Sequence, residues 1–228
     1  MNWEQVVQKI TPYIFKIETP AGHGTGFLCL HNENKTFYGV ATALHVIEYA
    51  NKWNQPIRLT HHSSNEDLFL KESDYVIFSD YKTDSAVILF QKPAFNLPAE
   101  LIELIPIDTP LSIGNEVSWL GFPAIEPYTL CFFSGNISAW QDFRKAYLID
   151  GVAINGVSGG PVTFLHNTDG VKIVGIVSAY RANMASGGTL PGLLYAQDVS
   201  HFHGVIHRIR SIDDANKKKK EIEQKQHL

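Results

Sequence analysis

Apolar residues in this chain fall mostly in short runs rich in Val, Ile, Phe, Tyr and Thr, which is the pattern of half-buried strands rather than long helices. Twelve such runs predict strands: Tyr13–Glu18, Gly26–Leu30, Phe37–Ala41, Ile57–Thr60, Tyr75–Phe78, Ala86–Phe90, Glu116–Gly121, Thr129–Ala139, Ala146–Asp150, Val162–Leu165, Val171–Tyr180 and Leu193–Val199. Helical spacing occurs at the two ends. Val6, Val7 and Ile10 mark a short helix over Glu4–Ile10, ended by Thr11-Pro12 because proline disfavours helix at the residue before it. Phe202, Val205, Ile206 and Ile209 mark a closing helix over 201–210, followed by a polar, Lys-rich tail at 211–228 expected to be frayed. Four prolines between Pro93 and Gly114 divide the strands into two groups of about six. Turn-separated strands in this number indicate an all-β fold of barrels or sandwiches rather than βαβ units.

With 228 residues the chain can bury one substantial core or two small fused ones. A formal charge of −4 gives no electrostatic reason to expect nucleic acid or an anionic membrane as partner, although Lys217–Lys220 keeps nucleic-acid binding by the tail as a minor reading. No basic start followed by an apolar run reads as a secretory signal, and no stretch is long enough to span a membrane. Cys29 and Cys131 sit in strand-like runs and are expected to be free thiols in a reducing compartment, the cytoplasm.

Three motifs carry chemistry. In Asn155-Gly-Val-Ser158-Gly-Gly-Pro-Val162, glycines surround one serine between two apolar strands, letting the backbone turn tightly and bring N–H groups to a ligand. A Gly-rich hairpin would explain the glycines but not the serine at their centre. Gly156 and Gly160 also satisfy the elbow spacing of the α/β-hydrolases, yet no helical pattern follows Pro161. Thr42-Ala-Leu-His45-Val puts a histidine at the start of a short helical turn, and Thr83-Asp84-Ser-Ala-Val puts an acid just before a buried strand. Each has a structural reading when taken alone. Together, in the order His, Asp, Ser with separations of 39 and 74 residues, they point to nucleophilic catalysis.

On these residues, with Gly24-Thr-Gly-Phe27 and the strand Ile173–Ser178, the sequence over about residues 4 to 210 resembles the trypsin-like, chymotrypsin-fold serine peptidases. It is most similar to the disulfide-free HtrA-type bacterial branch, without a PDZ domain. The resemblance implies two packed six-stranded antiparallel β-barrels, over about 12–105 and 106–200, with the catalytic residues His45, Asp84 and Ser158 meeting between them. It implies an oxyanion hole from the N–H groups of Gly156 and Ser158, and substrate binding by Val152, at the floor of the primary pocket, and by Ser178, Ala179 and Tyr180, along a strand edge. An apolar Val152 implies small or medium apolar residues before the cut, with Tyr180 narrowing the pocket and the 183–190 loop able to reshape its wall.

The expected partner is a polypeptide substrate, with no cofactor, no metal and no membrane, and a regulatory protein or self-association as a further option. Val157 stands where zymogens carry an aspartate, so activation by N-terminal cleavage is not expected. Rival classes are a dormant or partner-activated peptide-binding module and an esterase using the same triad. His201, His203 and His207 lack zinc-motif spacing and are expected to be solvated helix residues, whereas His23 is a candidate for the cleft wall.

Overall fold

The computed structural model describes residues 2–152, 154–166, 170–185 and 188–226, with the backbone alone at 180–185, 188–191, 225 and 226. Helix α1 (Trp3–Ile10) is started by a capping box in which the Asn2 side chain accepts from Gln5 N and the Gln5 side chain accepts from Asn2 N. It ends in a 3-10 turn at Thr11–Tyr13, where Pro12 breaks the ladder. The strands of the first half are β1 (Ile14–Thr19), β2 (Gly22–His31), β3 (Phe37–Ala43), β4 (Ile57–His61), β5 (Glu66–Leu70), β6 (Tyr75–Asp80) and β7 (Ser85–Gln91), with α2 (Leu44–Lys52) between β3 and β4. The second half has β8 (Glu116–Gly121), β9 (Cys131–Gln141), β10 (Ala146–Asp150), β11 (Pro161–His166), β12 (Gly170–Ala185) and β13 (Gly188–Asp198), followed by α3 (Ser200–Gln226).

All twelve expected strands are present, and the second half closes into a six-stranded antiparallel barrel in the order β10-β13-β12-β11-β8-β9. The first half corrects the expectation of a second six-stranded barrel. It is a curled seven-stranded sheet, β5-β4-β1-β2-β3-β7-β6, open between β5 and β6. The additional strand, β5, reads Glu-Asp-Leu-Phe-Leu, too short and polar for its apolar period to stand out. Between it and β6 the chain makes a 3-10 turn at Glu72–Asp74, closed by Lys71 N donating to Asp74 Oδ2 at 2.9 Å, and no ladder joins the two edges.

Strand β2 explains how the halves join. Phe27 and Cys29 face the seam between the halves while Leu28 faces the interior of the first sheet, and a bulge after Leu28 turns Leu30 to the seam as well. Across that seam Phe27 meets Phe202 of α3 edge to face, with centroids 6.1 Å apart, and Val6, Ile10, Phe122, Val205 and Ile209 complete a shared core. Two further cores fill the sheets themselves, around Phe15, Ile47 and Ile88 in the first half and around Trp119, Tyr147 and Val177 in the second.

Helix α3 runs past the expected end at residue 210 to Gln226. Its outer half is built from strong helix formers, with a Lys219–Glu223 pair one turn apart and Lys217 reaching Glu33 of the β2–β3 turn at 2.6 Å. His201 Nε2 donates to Phe78 O at 3.1 Å and His203 Nε2 to Ile105 O at 2.8 Å, so these two histidines tie the helix down rather than lying free in solvent. Both cysteines are free thiols, and burial pushes the Cys29 thiol up. Among the described residues no helix is long and apolar enough to cross a membrane.

Candidate active site

The β3–β7 ladder sets the first two residues of the site. Its last pair is Ala43↔Ser85, so the residue just before β7, Asp84, lies beside the start of α2, which carries His45. Leu44 N donates to Asp84 O at 2.9 Å, and Asp84 takes the left-handed backbone conformation, φ 47°, rare outside glycine. Its carboxylate faces His45. Oδ1 accepts from His45 N at 3.0 Å and Oδ2 accepts from His45 Nδ1 at 2.8 Å. A carboxylate only accepts, so Nδ1 is the protonated nitrogen, and in the neutral imidazole Nε2 is the one with the lone pair.

A third donor reaches the same carboxylate. Ser178 Oγ, buried on β12, donates to Asp84 Oδ2 at 2.6 Å. Sequence reasoning assigned Ser178 to the substrate edge and missed this bond. The available signal was a buried hydroxyl at the end of the apolar run Ile173–Val177.

Ser158 lies in the turn between β10 and β11, strung between the two halves. Its carbonyl accepts from Thr25 N of β2 at 2.8 Å, Gly159 N donates to Val177 O at 2.7 Å, and Val177 N donates to Gly160 O at 2.9 Å. These bonds tie the residue after Ser158 to the residue before Ser178. Gly159 sits against Thr42 and Ala43, which directly precede α2; a Cβ there would overlap Thr25 O and Thr42 Oγ1. Ser158 and His45 therefore lie on adjoining segments, and among the described residues no hydrogen bond links Ser158 Oγ to His45 Nε2. In unliganded sites such bonds are often long and tighten only when substrate binds.

Within the turn, the amides of Val157, Gly159 and Gly160 donate to Ile154, Val177 and Val157 carbonyls. Those of Gly156 and Ser158 donate to no partner among the described residues, and Gly156 has φ +92°. These are the two donors expected to face an oxyanion.

The remaining expected residues divide. Val152 is 58% exposed, in the bend after β10, and the buried Trp119 lies edge-on against neighbouring Gly151, where a Cβ would overlap its ring. The β11 ladder on β12 stops at Pro161↔Ile176, so that edge of β12 carries no ladder past Val177, at Ser178, Ala179 and Tyr180. The Tyr180 side chain, expected to narrow the pocket, lies outside the described residues, as do the side chains of 183–185 and 188–190 and all of Ser186 and Gly187, expected to shape its wall. His23 Nε2 donates to Phe122 O at 3.2 Å, and a Cβ at Gly156 would approach it at 2.5 Å, which sets His23 beside the oxyanion turn. Among the described residues no group of three His, Cys, Asp or Glu side chains could hold a metal ion.

Solved structures share this architecture. The serine endoprotease from Yersinia pestis matches with a TM-score of 0.65 at 21% identity, over 92% of this chain and 66% of that one. The fold is that of the trypsin-like serine endoproteases. Deg5 matches with a TM-score of 0.63 at 18% identity, over 86% of this chain and 88% of its own, and an inactive form of Rv3671c from Mycobacterium tuberculosis H37Rv matches with 0.59 at 18%, over 90% and 89%. The chain spans about two thirds of the Yersinia protein's length. No protein-family model matches, and no curated protein matches by sequence. At these identities the trypsin-like likeness establishes architecture, and the chemistry rests on the residues themselves.

Proposed function

We propose that the chain is a serine endopeptidase, with Ser158 as nucleophile, His45 as general base and Asp84 as the residue that orients His45. The observation that carries this reading is the 2.8 Å bond from His45 Nδ1 to Asp84 Oδ2, which fixes the tautomer that leaves Nε2 basic. Ser158 Oγ attacks the substrate carbonyl carbon and its proton passes to His45 Nε2. The carbonyl oxygen becomes an oxyanion held by the N–H groups of Gly156 and Ser158. Collapse breaks the C–N bond, His45 returns the proton to the leaving amine, and an acyl-enzyme remains. Water then attacks the ester, its proton following the same route, and release of the acid restores Ser158 Oγ–H. Asp84 stays ionised throughout.

Substrate main chain adds as a strand along Ser178, Ala179 and Tyr180, drawing affinity from backbone hydrogen bonds. An apolar Val152, with Trp119 filling the space behind Gly151, supports a shallow pocket and a preference for small or medium apolar residues before the cut. An esterase would use the same residues on a different leaving group.

A second reading is favoured by one observation, the missing Ser158–His45 hydrogen bond: a dormant peptide-binding module that a partner switches on. Intact-mass spectrometry after incubation with a fluorophosphonate separates the two. The peptidase reading expects a single adduct on Ser158, lost in Ser158→Ala and in His45→Ala. A folded protein that takes up no adduct would exclude a constitutive peptidase.

A further inference from the structure

The peptide planes of the nucleophile turn are each held through the carbonyl. Four consecutive carbonyls each accept a hydrogen bond: Asn155 O from Ala124 N at 2.6 Å, Gly156 O from Thr25 Oγ1 at 2.9 Å, Val157 O from Gly160 N at 2.9 Å and Ser158 O from Thr25 N at 2.8 Å. In a trans peptide the C=O and the following N–H point opposite ways. Binding Asn155 O to Ala124 therefore turns Gly156 N–H away from Ala124, and binding Val157 O to Gly160 turns Ser158 N–H away from Gly160. Both donors, without a partner among the described residues, are thus oriented by the partners of the carbonyls that precede them. Collapsing the hole by flipping the 155–156 peptide would break the bond to Ala124 and drive a carbonyl to where a donor now stands.

Thr25 holds two of these four carbonyls directly, Gly156 O and Ser158 O, and through Phe122 N it holds the segment whose Ala124 N binds a third, Asn155 O. It is fully buried, and every polar atom it has is used: N donates to Ser158 O, Oγ1 donates to Gly156 O and accepts from Phe122 N at 3.0 Å, and O accepts from Thr42 Oγ1 at 2.7 Å. The Thr25 hydroxyl thereby ties the nucleophile turn to the segment carrying Phe122 and Ala124, while its backbone N and O hold Ser158 and the residue three before His45. A valine would fill the same volume and keep the strand, but would leave Phe122 N and Gly156 O unpaired.

We propose that Thr25 is a positioning residue that keeps the oxyanion turn donor-ready, so that the isolated chain needs no partner to build its oxyanion hole. The inference rests on the serine-hydrolase reading above and selects the constitutive form of it over the dormant one.

Two measurements test it, one without any reliance on catalysis. Amide hydrogen exchange followed by NMR should find Gly156 and Ser158 exchanging fast between protected Val157, Gly159 and Gly160, and Thr25→Val should remove that contrast. Fluorophosphonate labelling of the wild type should proceed with one second-order rate constant from nanomolar to micromolar protein. Thr25→Val should label about 10- to 100-fold slower, short of the 100- to 1,000-fold cost of deleting a donor outright. Thr25→Ser, which keeps the hydroxyl, should stay within about threefold, with melting curves confirming that each variant is folded. Should Thr25→Val not fold, the wild-type exchange pattern, the concentration series and Thr25→Ser still decide. The inference is overturned by a labelling rate that rises with protein concentration, by full-speed labelling of folded Thr25→Val, or by protected Gly156 and Ser158 amides. The expected exchange contrast without any labelling would instead remove the hydrolase reading and leave the clamp standing.

Discussion

Ser178 Oγ and His45 Nδ1 share one acceptor, Asp84 Oδ2, at 2.6 and 2.8 Å. The two donors come from different halves of the molecule, β12 and α2, so the carboxylate spans the seam as a bridging group. Hydrogen bonds to a charged acceptor are worth about 1.5–3 kcal/mol, and this one restrains the carboxylate that accepts from the imidazole. Replacing Ser178 with alanine should lower kcat about tenfold with little change in KM, because the lost bond positions the base rather than the substrate. Steady-state kinetics on an ester substrate, with Ser178→Thr as the variant that keeps the hydroxyl, would check this. A large rise in KM with unchanged kcat would assign Ser178 to the substrate edge alone.

Asp84→Asn tests the tautomer. An amide can turn its NH2 toward Nδ1, which then accepts, leaving the proton on Nε2 and no base facing Ser158. In a Ser-His-Asp triad this change costs about 10⁴ in kcat with the geometry otherwise kept. The fluorophosphonate labelling rate should fall by a comparable factor while the melting temperature barely moves. Labelling within tenfold of wild type would mean that Asp84 only shapes the turn.

Much of the site was legible in the sequence because its chemistry sits on distinctive local patterns: a serine among three glycines, a histidine at a strand-to-helix junction, an acid before an apolar strand. The strands were legible for the same reason, since Val, Ile and aromatic runs bury on one or both faces. What escaped was set by tertiary pairing. Strand β5 has too short a period to announce itself, and the gap between β5 and β6 depends on the 3-10 turn at Glu72–Asp74. Thr25 looks like one residue of a Gly-Thr-Gly strand, and only tertiary contact gives it bonded partners at Gly156, 131 residues away, and at Ser158, Phe122 and Thr42. Nothing local in Ser178 names Asp84, 94 residues upstream. The outer half of α3 read as frayed because it has no apolar face, whereas its order comes from helix-forming residues and the tie between Lys217 and Glu33.

Gly159→Ala should be far more damaging than a surface change of the same size. The residue has φ +84°, and an added Cβ would overlap Thr25 O and Thr42 Oγ1, backbone and buried hydroxyl that cannot move without breaking the turn. Left-handed strain plus overpacking should cost about 3 kcal/mol in urea unfolding. Gly204→Ala is the control, because a Cβ there meets nothing within 4 Å. It should leave stability the same or slightly higher, as alanine favours helix. Equal effects at the two positions would mean that the turn is not packed against β2 and β3 as described.

His62 gives the fold a defined acid sensitivity. Burial, and to a lesser extent the neighbouring His61, hold its imidazole below the ordinary value of 6.5, and its ring packs on Phe122 with centroids 5.6 Å apart. The folded state therefore favours neutral His62, while the unfolded chain takes up the proton near 6.5. The stability this contributes is complete above about pH 6.5 and is lost as the pH falls from there through the lowered folded value. Because Phe122 N is the group bonded to Thr25 Oγ1, the strain of charging His62 falls on the segment that positions the oxyanion turn. Replacing His62 with phenylalanine should flatten the stability profile between pH 7.5 and 5 in urea unfolding, and should slow the loss of labelling rate on brief acid exposure. The opposite sign, a wild type that gains stability relative to His62→Phe on acidification, would place a protonated, partnered imidazole at this position and overturn the account.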